Sequence, residues 1–147
     1  MTQARSLFTR GAVVILFLSA ACAGSPQPVA EAERAQVLAF ARPQTDNLME
    51  GYNSGDYSIA SRDFDDAMRK AMPPAAFAAT RASLMGHLGK YISGEPADVF
   101  RQGDFYVVLY KAQFEQDPAV TMRVVFDQSG AHKVSGWWLD SPKLRQQ

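Results

Sequence analysis

One cysteine, Cys22, and two histidines, His87 and His132, are the only residues of those two types among 147. Disulfide frameworks and cysteine-based metal sites are therefore excluded, and a histidine-rich metal site has too few members. An excess of charge is also missing, because 15 basic residues meet 15 acidic ones and the Lys and Arg residues are scattered. A nucleic-acid binder carries a basic stripe, so no nucleic-acid partner is expected. No long apolar run occurs: the stretch from Gly11 toward Cys22 covers about 12 residues, where a membrane-spanning helix needs roughly 20. Ser-x-x-Lys, a phosphate-cradling Gly-rich loop and His-Glu-x-x-His are absent. Gly51-Tyr-Asn-Ser-Gly55 is not a nucleophile elbow, because its serine falls one position late. No motif names a reaction, and no cofactor is implied. What remains is 47% hydrophobic and 20% charged, the composition of one ordinary globular domain.

The N-terminus carries an address. Arg5 and Arg10 precede Gly11-Ala-Val-Val-Ile-Leu-Phe-Leu18, which gives way to Ser19-Ala-Ala-Cys22. A positive start, a short apolar core and small residues at its end describe a secretory signal. The segment resembles a bacterial lipoprotein signal, with Ala20 and Ala21 at the small positions and Cys22 at the lipidated one. It departs from that pattern at Ser19, where Leu is usual, with Leu18 one step earlier. Several acyl chains on one cysteine hold a protein stably on a membrane, each buried CH₂ contributing about 0.8 kcal/mol. The resemblance implies a lipid-anchored protein of the cell envelope, facing the periplasm or the exterior. Ala23 after the cysteine implies the outer membrane if the host has two. Residues 1–21 are thus expected to be the signal. Residues 22–30, small, polar and proline-containing, are expected to be a flexible tether. Residues 31–147 then form a single domain.

Within that domain the hydrophobic period changes once. Val37, Ala41, Leu48 and Tyr52 recur at helical spacing and predict a helix from about Glu31 to Asn53, kinked or divided near Pro43. Asn53-Ser-Gly-Asp56 ends it. Further helices are predicted at Tyr57–Arg62, between Asp63 and Ala71, and from Pro73-Pro74 to Leu88, with Gly89 as the stop signal. Beyond Gly89 the pattern alternates. Lys90–Ser93 and Ala97–Gln102 read as short strands around Gly94-Glu95-Pro96, followed by Phe105–Phe114, Ala119–Asp127 and about Ala131–Asp140. On Phe105–Phe114 the even positions are apolar or aromatic and the odd ones include Lys111 and Gln113. The even face, with Val120, Met122, Val124 and Phe126, is therefore expected to face the helices. Helices first and short-turned strands afterwards make an α+β domain, with N-terminal helices packed on a curved antiparallel sheet.

The order of elements resembles the nuclear-transport-factor-2-like, cystatin-like fold, which is cone-shaped. More narrowly, Ala32 to Leu144 resembles a bacterial family known as domain of unknown function 3887. The resemblance rests on Ser54-Gly-Asp-Tyr57, Asp63-Phe-Asp65 with Met68, Leu88-Gly89, Arg123-Val-Val-Phe-Asp127, Gly130, and Val134-Ser-Gly-Trp137 with Pro142. Domains of this fold often keep a pocket inside the sheet or dimerise through it, so a homodimer stands among the partners the resemblance implies.

Candidate chemistry is sparse. Asp63, Asp65 and Asp66 read as a helix start, with Asp63 as N-cap and Arg69 and Lys70 in the last turn, rather than as a metal site. His87 reads as a helix-end residue and His132 as a solvated strand residue. Tyr106 and Tyr110 share a strand face, while Trp137 and Trp138 point to opposite faces. Tyr106, Tyr110 and Trp137 are therefore the expected lining of a ligand pocket between sheet and helices. Two functions fit. One is a membrane-tethered, non-catalytic envelope module binding a small apolar ligand or an envelope protein, or serving a purely structural role. The other is a small isomerase or dehydratase, with an Asp or His as base and a Tyr as hydrogen-bond donor.

Overall fold

A computed structural model describes residues 24–145. Strand β1 (Gln27–Pro28) leads into helix α1 (Glu31–Ser54), and three shorter helices follow: α2 (Tyr57–Ala60), α3 (Asp66–Ala71) and α4 (Pro74–Leu88). The chain then forms β2 (Tyr91–Gln102), β3 (Phe105–Phe114), β4 (Asp117–Asp127) and β5 (Val134–Asp140). These make one curved, open, antiparallel sheet in the order β1-β2-β3-β4-β5. The expected α+β class and the change from helical to alternating period are both observed. Lipid attachment at Cys22 lies outside the described residues.

The predicted stripe on α1 is buried in full, and Thr45 adds a polar member to Val37, Ala41, Leu48 and Tyr52. Gly55, at φ 76°, closes the helix by donating its N–H to the Gly51 carbonyl at 2.8 Å. Pro43 does not divide the helix. It lies on the exposed side of the helix, as does Ala39, whose carbonyl loses its N–H donor. The Arg81 guanidinium on α4 donates to the Tyr52 and Asn53 carbonyls at 2.6 and 3.1 Å, satisfying the end of α1 and binding α4 to it.

Sheet register follows the alternation. Tyr106, Val108, Tyr110 and Ala112 stand opposite Phe126, Val124, Met122 and Val120, and a short turn at Glu115-Gln116 connects the two strands. This inner face packs on α1, and Trp137 joins it opposite Val124. Burial of each such side chain stabilises the fold by roughly 1.5–3 kcal/mol.

Four expectations are corrected. The two short strands around Gly94-Glu95-Pro96 are one strand, β2, with register shifts between Tyr91 and Ser93 and between Pro96 and Asp98. A proline survives there because β1 covers β2 only at Phe100 and Arg101, leaving Pro96 at the sheet edge. The N-cap of α3 is Asp65, which accepts from the Met68 N–H at 2.6 Å, and not Asp63. Asp63 instead accepts from Asn47 Nδ2 at 2.7 Å and pairs with Lys133 at 3.8 Å, joining α1 to the start of β5. Within the expected tether, Gln27–Pro28 pairs with β2 and the Val29 N–H donates to the Val99 carbonyl at 3.3 Å, so this end of the segment belongs to the sheet. Finally, His132 is no strand residue: it precedes β5 at φ 45° and stacks on Phe40 at 4.2 Å between ring centroids.

At the uncovered edge of β2, the Asn53 side chain does what a neighbouring strand would do. Its Nδ2 donates to the Tyr91 carbonyl at 2.8 Å and its Oδ1 accepts from the Tyr91 N–H at 2.9 Å.

Candidate functional site

The three residues expected to line an inner pocket are held in the core or at its margin. Tyr110 is buried on β3, and its hydroxyl lies 3.1 Å from the Thr45 hydroxyl of α1. Burial raises the pKa of its phenol to about 12, against the opposing effect of the Thr45 hydrogen bond. Tyr106, half-buried at the far end of the same face, donates to Glu33 Oε1 at 3.0 Å. Arg101 binds the same carboxylate, and these two hydrogen bonds, Arg101 first, hold the Glu33 carboxyl below its ordinary pKa. Trp137 is buried edge-on to Tyr52, with 6.1 Å between ring centroids, and its indole N–H has no partner. It borders a concavity of about 180 Å³ at the β5 edge, together with Thr80 and Leu84 of α4. Tyr106 and Tyr110 line neither this concavity nor the two described below. Of the expected trio, the structure brings none of the three rings into one cavity.

The larger hollow lies on the other side of the sheet, its open face. Register builds it. Val107 on β3 stands opposite Val125 on β4, which stands opposite Gly136 on β5. Val107 and Val125 are only 4% and 6% exposed, although no helix covers them. They are shielded by larger neighbours on the same face. Trp138 folds its ring back over Gly136, where any added Cβ would overlap the indole, so only glycine admits this close approach. Trp138 is 53% exposed and Phe105 is 41% exposed. Between these aromatic walls the two valines floor a concavity of about 420 Å³. A second, of about 340 Å³, continues toward Pro26 and Phe100 and shares Gln102, Val107 and Arg123 with the first.

Arg123 stands where the two hollows meet. It is opposite Trp138 in the β4–β5 register, with its guanidinium carbon 5.0 Å from the indole centroid. Its Nη2 donates to Gln102 Oε1 at 3.2 Å. Among the described residues the ion pairs are Arg101–Glu33, Lys133–Asp63 and Arg145–Asp140, so Arg123 has no carboxylate partner there. Asp104 also lines the larger concavity, from the β2–β3 turn. No group of three or more potential metal ligands occurs among the described residues. Gly24 packs beside the backbone of Gly103 in that same turn.

A family model described as "Protein of unknown function (DUF3887)" matches residues 45–131. The chain belongs to this family. The match runs from the middle of α1 through β4, and so includes the α1–β3 packing and the Arg123 position of this member. No curated protein and no solved structure matches the chain significantly.

Sequence reasoning missed the open face. Its signal was present in Phe105, Val107 and Val125, the apolar odd positions on two predicted strands, but Lys111 and Gln113 on the same face masked it. His87 is spent locally, its Nδ1 lying 2.7 Å from the Ser83 carbonyl oxygen.

Proposed function

We propose that this family member is a membrane-tethered, non-catalytic module of the cell envelope that binds a small apolar ligand on the open face of its sheet. The observation that carries the reading is the concavity of about 420 Å³ walled by Phe105 and Trp138 and floored by Val107 and Val125. Small-molecule sites of roughly 300–1,000 Å³ are typically apolar with a few polar groups that fix orientation, and Arg123 and Gln102 fit that description. The tether is supported by the Arg5 to Cys22 signal pattern and by Gly24, which leaves the domain beside Gly103 at the rim of the hollow.

Two measurements test this. Replacing Cys22 with Ala is expected to release the protein from membranes and lower the mass of the mature form by its acyl groups; unchanged fractionation and mass refute the tether. Native mass spectrometry of the protein extracted from its own membrane is expected to show a retained small ligand. A retained protein subunit in its place would reassign the open face to a protein partner.

A further inference from the structure

Resting on the reading of the open face as the binding face, we propose that its occupant is a free carboxylate amphiphile of the fatty-acid class, with the carboxylate on Arg123 and the hydrocarbon over Val107 and Val125. The argument is one of charge. An apolar occupant of the hollow would also cover Arg123, which both concavities share. The guanidinium has five N–H donors, and among the described residues the side chain makes one hydrogen bond, to Gln102. A neutral hydrocarbon seated there would remove a cation from water with no carboxylate in ion-pair contact, since Asp104 lines the same hollow but does not pair with Arg123, and this is unfavourable. A carboxylate turns the same burial into a charge-assisted, two-pronged contact that matches the planar guanidinium. The indole face at 5.0 Å and Gln102 hold the guanidinium in position without neutralising it.

A bilayer fits the surface less well. Asp98, Asp127 and Asp140 stand opposite Leu109, Phe105 and Thr121, on this same face. Together with Asp104 they oppose a flat anionic membrane over the whole face, whereas a single carboxylate has only to contact Arg123.

The test titrates dodecanoate, and separately dodecanol, below their aggregation limits into the full chain carrying Cys22→Ala, so that no attached acyl group competes. Tryptophan emission reports binding, and Trp138→Phe assigns the signal. Dodecanoate is expected to bind, and Arg123→Gln is expected to weaken it about tenfold or more while strengthening dodecanol, whose chain then no longer buries a cation. Arg123→Glu should reverse the preference, so that dodecylammonium binds better than dodecanoate; circular dichroism checks that both variants are folded. Equal binding of dodecanoate and dodecanol, unaffected by Arg123→Gln, overturns the carboxylate assignment and leaves the apolar-ligand reading standing. Binding of neither probe overturns the assignment as well, and the native mass spectrum then judges the broader reading by itself. A dimer broken by Trp138→Arg, or adsorption to phosphatidylglycerol vesicles without dodecanoate binding, replaces the proposal with a second copy or a membrane surface.

Discussion

The two faces of one sheet solve the same problem with different means. On the inner face, Val108, Met122, Val124 and Phe126 are removed from water by a long helix. On the open face, Val107 and Val125 are removed from water almost as completely by Trp138, Phe105 and Arg123 on the sheet itself. The first arrangement leaves no room to move. The second is a thin cover of side chains, one of them cationic, and it leaves a hollow. Tight burial by a helix makes stability, whereas burial by neighbouring side chains makes a surface that another molecule can complete.

Neighbouring positions on β4 break the comparison most sharply. Val124→Asp is expected to cost roughly 4 kcal/mol or more, because it buries an unpaired carboxylate against α1. Arg123→Glu, one residue away, should change stability by less than about 0.5 kcal/mol. Equal melting temperatures for the two variants would refute the assignment of the faces.

Alkaline pH should act on the inner side alone. Burial raises Tyr52, Tyr91 and Tyr110 to about 12, because a phenolate is poorly solvated there. In the unfolded chain these groups titrate near the ordinary value of about 10, so it releases protons first as pH rises. Their contribution to stability is full below about pH 10 and is lost between about pH 10 and 12. Denaturant melts across that range should show the decline, with tyrosinate absorbance appearing at unfolding. Trp138→Ala should leave it in place, since the open face carries no tyrosine.

Smaller effects follow. Tyr110→Phe leaves the Thr45 hydroxyl buried without its partner, an expected loss of about 1–2 kcal/mol, and adding Thr45→Val should recover part of it. Gly136→Ala should cost under about 1 kcal/mol, because the added methyl meets only the far end of the Trp138 ring, which can swing outward. Its readout is a red shift in tryptophan emission. An unshifted spectrum would place that ring elsewhere.

What was legible in the sequence follows the same division. The inner face could be read because each strand announces it alone: every even position from Tyr106 to Phe114 and from Val120 to Phe126 is apolar or aromatic, while the odd positions include Lys111, Gln113, Thr121 and Arg123. The open hollow could not, because its parts come from four strands. Gln102, Val107, Arg123 and Trp138 become neighbours only through register, and register depends on the shifts in β2 and β5 that no local pattern predicts. The same limit explains Asp63, read as a cap from its place before a helix and claimed by Asn47 and Lys133 from distant segments. Where the inner pocket was expected, Tyr110, Thr45 and Phe114 are buried between the sheet and α1.

The Asn53 side chain, bonded to both backbone groups of Tyr91, has a consequence for the protein in crowded solution. A strand arriving from another molecule finds that end of the β2 edge already taken, so the sheet cannot be lengthened there by accretion. Leucine at this position would remove the stopper while keeping the helix that carries it. The defect would register less in a melting curve than in shelf life, as slow, concentration-dependent loss of protein from the supernatant.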